Sequence, residues 1–211
     1  MIKERLGMSM VIVAASFVVP LRADLIYNLN QTGIAGFSNG TTYASVDLTQ
    51  INTDTVRVTE TLAPGDVFAA TGAGNSLEFT IDEPFSYVAN SMSSGFTGYT
   101  SGASASGYGS YGSYVECTSC GPGTSSPRYG GPLSFEVYNA SGLSLTDFVA
   151  NTSGYYFASD IGLSKGGDSY ATGVVASNID AATPEPSAVV LMATCAGLFL
   201  VKLRKRGKGG R

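Results

Sequence analysis

The chain has 211 residues, a formal net charge of −4 and no histidine, with 27 glycines, three cysteines and only 13% charged residues. The absence of histidine excludes Ser-His-Asp and Cys-His catalysis and the usual zinc sites. Between residues 24 and 183 three basic residues (Arg57, Arg128, Lys165) face fourteen acidic ones, a local charge of −11. That balance speaks against nucleic acid as a partner.

In chain order, residues 1–23 read as a signal peptide. Lys3 and Arg5 form a charged start, residues 8–19 are mostly apolar, and Leu21 and Ala23 suit a peptidase site, so cleavage is expected after Ala23. Twelve apolar residues are too few to span a membrane stably. The predicted domains are therefore this signal helix at 1–23, a body at 24–183 and a tail at 184–211.

The body reads as all-β. Residues 43–51 and 54–62 are rich in Thr and Val around the turn sequence Asn52-Thr53-Asp54, which predicts a hairpin with Val46, Leu48, Val56 and Val58 facing inward. Leu77, Phe79 and Ile81 alternate with Glu78, Thr80 and Asp82, and Leu133, Phe135 and Val137 with Ser134, Glu136 and Tyr138. Both are patterns of half-buried strands. Shorter strands are expected at 25–29, 87–90, 155–158 and 170–177, and one short helical turn at 145–150. Many short strands with Gly, Asn and Asp turns predict an antiparallel β-sandwich or jelly-roll-like body.

Residues 91–131 interrupt this pattern with ten glycines, many serines and the run Ser106-Gly107-Tyr108-Gly109-Ser110-Tyr111-Gly112-Ser113-Tyr114. Such composition buries little area, which predicts a flexible insertion. Tyr, Ser and Gly also make adaptable binding loops, so Tyr108, Tyr111 and Tyr114 are candidates for stacking against sugar rings. Cys117-Thr118-Ser119-Cys120 is a C-x-x-C, and in an exported chain a small disulfide is the expected state; labile thiols and redox activity are the alternatives.

Few residues suggest chemistry. Glu78, Asp82 and Glu136 are nominal carboxylates for glycan hydrolysis, but their alternation with apolar positions points them toward solvent, and no enzyme activity is expected. Asp160 and Asp168 flank a glycine-containing loop and offer two carboxylates to calcium, although the spacing matches no EF-hand and Lys165 opposes it. No cofactor is expected. Asn-x-Ser/Thr triplets at Asn30, Asn39, Asn139 and Asn151 mark surface loops.

At the far end Pro184-Glu185-Pro186 precedes an apolar stretch, residues 188–201, and a tail containing Arg204, Lys205 and Arg206. Two prolines hold the segment extended and non-helical. The apolar stretch spans roughly 21 Å as a helix, short of the ~30 Å hydrocarbon core unless flanking residues extend it. It reads as a single marginal transmembrane helix, with the basic residues holding the end in the cytoplasm.

Pro-Glu-Pro, a short apolar helix and a basic end, on a chain with a signal peptide, resemble the PEP-CTERM sorting signal of Gram-negative bacteria. The resemblance covers about 28 residues. It implies an exosortase, a membrane-embedded cysteine protease, as processing partner after signal peptidase. It also implies a route from an inner-membrane-anchored precursor to the cell surface or an exopolysaccharide matrix. Three body segments, 61–65, 72–79 and 157–161, resemble stretches of other PEP-CTERM proteins. On these grounds the expected function is a non-catalytic surface or extracellular-matrix protein. The alternatives are a carbohydrate-binding or adhesive β-sandwich and, further off, a glycan hydrolase.

Overall fold

The computed structural model describes residues 24–177 and the backbone of residues 183 and 184. The predicted signal helix, transmembrane helix and basic tail lie outside the described residues. Among the described residues no helix is long and apolar enough to cross a membrane, and the fold is all-β.

The first three strands form a meander: β1 (Asp24–Thr32), β2 (Ala44–Asn52) and β3 (Thr55–Leu62). The β2–β3 hairpin is the predicted one, closed where Asn52 Oδ1 accepts from the Asp54 amide. Val46, Leu48, Val56 and Val58 are fully buried, because side chains two apart share a face and that face is the core. Short strands follow: β4 (Val67–Phe68), β5 (Leu77–Phe79), β6 (Ser86–Tyr87), β7 (Phe96–Tyr99), β8 (Ala103–Ala105), β9 (Gly109–Tyr111) and β10 (Ser113–Cys117). Longer ones complete the body: β11 (Leu133–Tyr138), β12 (Phe157–Ser164) and β13 (Tyr170–Ser177), with a two-residue β14 (Thr183–Pro184). The helical turn expected at 145–150 is a 3-10 turn over Leu145–Asp147.

All pairings are antiparallel, and ten strands form one continuous path, β6-β11-β3-β2-β1-β13-β12-β5-β10-β7. The sheet curls until its two ends nearly meet. They touch through a side chain: the Tyr87 hydroxyl of β6 donates to the carbonyls of Tyr114 (3.1 Å) on β10 and Tyr99 (3.4 Å) on β7. Gly98 of β7 leaves room for that ring, since a Cβ there would run into it. Inside, Phe79 lies 5.7 to 6.4 Å, ring centre to ring centre, from Phe135, Phe148 and Phe157.

The 91–131 segment is not the flexible insertion its composition predicts. It supplies β7 and β10 to the main sheet and the separate β8–β9 ribbon. Ser113, Val115 and Cys117 alternate inward along β10, and Tyr108 and Tyr111 bury their rings, so the segment carries more apolar area than a count of Gly and Ser suggests.

Candidate functional site

Strand parity sets up the most unusual place in the molecule. In β5, Leu77 and Phe79 face the core, so Glu78 faces outward; in β12, Phe157, Ile161 and Leu163 face the core, so Ala158 and Asp160 face outward. Glu78 pairs directly with Ala158, which puts Glu78 and Asp160 diagonally across one face. The outer face of an antiparallel sheet is ordinarily wet. Here the β8–β9 ribbon lies over it. Tyr108, Tyr111 and Ala105 pack with Ala158, Val174 and Ala176 into a second small apolar cluster.

Several contacts hold this cover in place. The Ser106 amide donates to the Ala73 carbonyl (2.7 Å). Asn151 Nδ2 donates to the Tyr108 carbonyl (2.8 Å), and Tyr108 meets Tyr155 edge-on with centroids 5.1 Å apart. Gly109, at φ +90°, lets the ribbon approach this close, because a Cβ there would lie 2.7 Å from Ser153 Oγ.

Glu78 and Asp160 are both fully buried as a result. The loop 71–75 wraps them with donors. Asp160 Oδ2 accepts from Thr71 N (3.1 Å) and Thr71 Oγ1 (2.5 Å), while Glu78 Oε1 accepts from Asn75 N and Asn75 Nδ2, both at 2.9 Å. Beneath them the Ser159 hydroxyl donates to the Ser76 carbonyl (2.7 Å), and the Asp160 amide to the Asn75 carbonyl (2.8 Å). Glu78 Oε2, Asp160 Oδ1 and the Tyr111 hydroxyl are buried without a well-formed hydrogen bond, with the Gly74 amide beside Asp160 and the Asn151 side chain beside Tyr111.

Burial pushes both carboxyls above their ordinary range, against the pull of the loop's hydrogen bonds, and the Asp160 charge raises Glu78 further. Tyr111 is raised by burial and then by the Glu78 charge. Closed under the ribbon, neither carboxyl is exposed to solvent. Their contacts are those of a polar clasp that pins β5, β12 and the loop 71–75 together. The segments 72–79 and 157–161, singled out in the sequence, thus meet as one structural unit.

The other sequence candidates scatter. Glu78 does not face solvent as its alternation suggests, because the ribbon covers that face. Asp82 is exposed, and Glu136 accepts from Arg57 Nε (3.2 Å) and Nη2 (2.7 Å). Asp160 and Asp168 do not converge. Asp160 is spent on Thr71, whereas Asp168 stands out on the β12–β13 turn and pairs with Arg128 at 2.7 Å. Among the described residues no group of three His, Cys, Asp or Glu is placed to hold a metal. Cys117 and Cys120 form a disulfide, and the Cys117 amide donates to Ser76 Oγ (3.0 Å), tying it to the clasp.

The three tyrosines part company. Tyr108 and Tyr111 are turned down onto the sheet, 9% and 3% exposed. Tyr114 is half-buried and stacks on Tyr99, directly opposite across β10 and β7, at 4.7 Å and 18°. Of the sorting motif, Pro184 is described as backbone in β14; Glu185, Pro186, Arg204, Lys205 and Arg206 lie outside the described residues.

Sequence reading missed Glu60. It follows Val56 and Val58 by parity onto the inner face of β3, where it is fully buried and neither carboxyl oxygen has a hydrogen bond. Burial raises it well above the carboxylate range, and the Ser159 hydroxyl beside it only partly offsets this.

Comparison with known proteins gives no matching family model, no matching curated protein and no matching solved structure.

Proposed function

We propose that this is an exported, non-catalytic surface or extracellular-matrix protein, delivered by signal peptidase and then an exosortase acting at Pro184-Glu185-Pro186. The observation that carries the reading is that the described strands between residues 24 and 184, the β8–β9 ribbon apart, pair into one curled antiparallel sheet, which fits a single extracytoplasmic body. The body is read as a flattened sandwich whose faces are opposite walls of one curled sheet. Two of the three fully buried carboxyls among the described residues, Glu78 and Asp160, are sealed under the ribbon, which suits a structural role better than hydrolysis.

Intact mass of the protein recovered from its native cells tests this. The expected species starts at Asp24 and ends between residues 184 and 187, with or without the mass of a surface attachment. A species retaining Lys202 to Arg211 would make the tail a permanent anchor and end the sorting reading.

A second reading, glycan adhesion, draws on the half-buried Tyr99–Tyr114 stack and on a hollow of about 360 Å³ bordered by Tyr108, Ile34, Ala73 and Gly173. Binding to a polysaccharide panel that is lost in Tyr114→Ala, with the fold intact, would favour it.

A further inference from the structure

The clasp leaves three oxygens under the ribbon unaccounted for. Asp160 gives Thr71 only Oδ2, and Glu78 gives Asn75 only Oε1. Asp160 Oδ1, Glu78 Oε2 and the Tyr111 hydroxyl lack a well-formed hydrogen bond, although both acids are fully buried and Tyr111 is 3% exposed. Sheet register gathers them. Glu78 pairs with Ala158, Asp160 lies two residues on along the same face of β12, and Tyr111 belongs to the apolar cluster around Ala158. The Asp160 charge acts on Glu78 and the Glu78 charge on Tyr111, so the three groups are near neighbours.

Buried oxygens left in this state in a native protein call for a bound water or ion. Charge decides between the two. The loop 71–75 presents two donors to one oxygen of each carboxyl, an arrangement that favours the ionised form. Two ionised carboxylates side by side need a counter-charge, because an unpaired charge is costly to bury. The three basic residues between 24 and 183 are placed elsewhere: Arg57 pairs with Glu136, Arg128 pairs with Asp168, and Lys165 is exposed on the β12–β13 turn. A water brings no charge; a cation does, and it lets both carboxyls ionise where burial alone holds them toward the neutral form.

The donor set narrows the choice of ion. All three atoms are oxygens, which suit a hard cation, and they come from three separate strands, β5, β12 and β9. Calcium tolerates such a flexible arrangement, whereas magnesium demands a strict octahedron. The loop also offers a way in. A Cβ at Gly74 would lie 3.3 Å from Glu78 Oε1 and 3.6 Å from Asp160 Cβ. The same glycine borders a hollow of about 190 Å³ together with Gly72, Asn75, Ser76 and Glu116. A small ion can therefore approach the carboxyls past Gly74 without lifting the ribbon.

We infer that Glu78 Oε2, Asp160 Oδ1 and the Tyr111 hydroxyl form a binding site for one hard divalent cation of the calcium class, with water completing its shell. The site does not depend on how the chain is sorted. It also differs from the pairing of Asp160 with Asp168 expected from the sequence, since Asp168 takes no part. The ion ties β5, β12 and the ribbon together from the middle, so its binding stabilises the fold.

Calcium titration of the full chain after treatment with EDTA tests the site. At ten times its Kd, one calcium per chain should raise Tm by about 3–6 °C. Glu78→Gln and Asp160→Asn should each abolish the shift, and Asp168→Asn should keep it. Tyr111→Phe retains the ring that covers the sheet and should weaken calcium binding several-fold, which keeps the test decisive if the carboxyl variants do not fold. Absence of both binding and shift would leave only water between the carboxyls and overturn the proposal. Calcium binding that survives Asp160→Asn, or that is unchanged in Tyr111→Phe, would put the ion elsewhere and overturn it as well.

Discussion

At the scale of single residues, the most informative side chain is Glu60. The alternation Val56, Val58, Leu62 assigns position 60 to the inner face, so its location was legible from parity alone; its chemistry concealed it, because a carboxyl is expected to avoid a core. Unfolded, Glu60 ionises near the ordinary carboxylate value. Folded, burial keeps its proton on. A raised folded pKa means that the native state binds the proton more tightly, so its stabilising contribution is complete below the unfolded pKa and is lost as pH rises toward the folded one. Asp66, Glu78 and Asp160 are raised by burial too and act in the same direction. Glu60→Gln keeps the shape and removes the titration. Urea unfolding should show wild type and Glu60→Gln nearly equal at pH 4, with the variant pulling ahead by about 1.4 kcal/mol per pH unit above the unfolded pKa. Parallel curves from pH 4 to 7 would mean that Glu60 is not buried as an acid.

Among the elements, the β8–β9 ribbon decides how the glycine-rich segment is understood. Composition suggested a loop because Gly and Ser bury little. Four residues overturn that: Ala105, Tyr108 and Tyr111 give the ribbon an apolar underside, and Asn151 fastens it from a neighbouring loop. Period-two alternation at Ser113, Val115 and Cys117 was present in the sequence but short and surrounded by glycines. The pairing of Glu78 with Ala158 under the ribbon was not legible at all, since it depends on which strands become neighbours. The tyrosines therefore differ in what their loss does. Tyr111→Ala removes a ring that is 3% exposed and should cost about 3–5 kcal/mol, as large-to-small core changes do. Tyr114→Ala removes one half-buried ring of a stacked pair and should cost about 0.5–1.5 kcal/mol. Denaturant titration of the two variants checks the order. The reverse order would mean that the ribbon does not cover the sheet.

For the whole molecule, the question is what closes the sheet. The hairpin β2–β3 followed from its Thr and Val content and turn residues, and the inward faces of β11 from alternation, yet nothing local announces that β6 and β7, far apart in the strand order, end up together. β6 has only two residues and cannot form a long ladder, so the seam is made by one aromatic side chain instead. Tyr87 packs against Phe85 and Phe135 on its own side and against Gly98 across the gap. A methyl group at 98 has nowhere to go while that ring is present. Gly98→Ala should then destabilise by about 1–3 kcal/mol, the usual range for overpacking. Amide exchange should quicken on both β6 and β7, although only β7 is changed. The cost should depend on the ring. In a Tyr87→Ala background Gly98→Ala should be close to neutral, giving a coupling energy of the same order. If Gly98→Ala costs as much without the ring as with it, Tyr87 does not hold the seam, and the two ends of the sheet are neighbours without being joined.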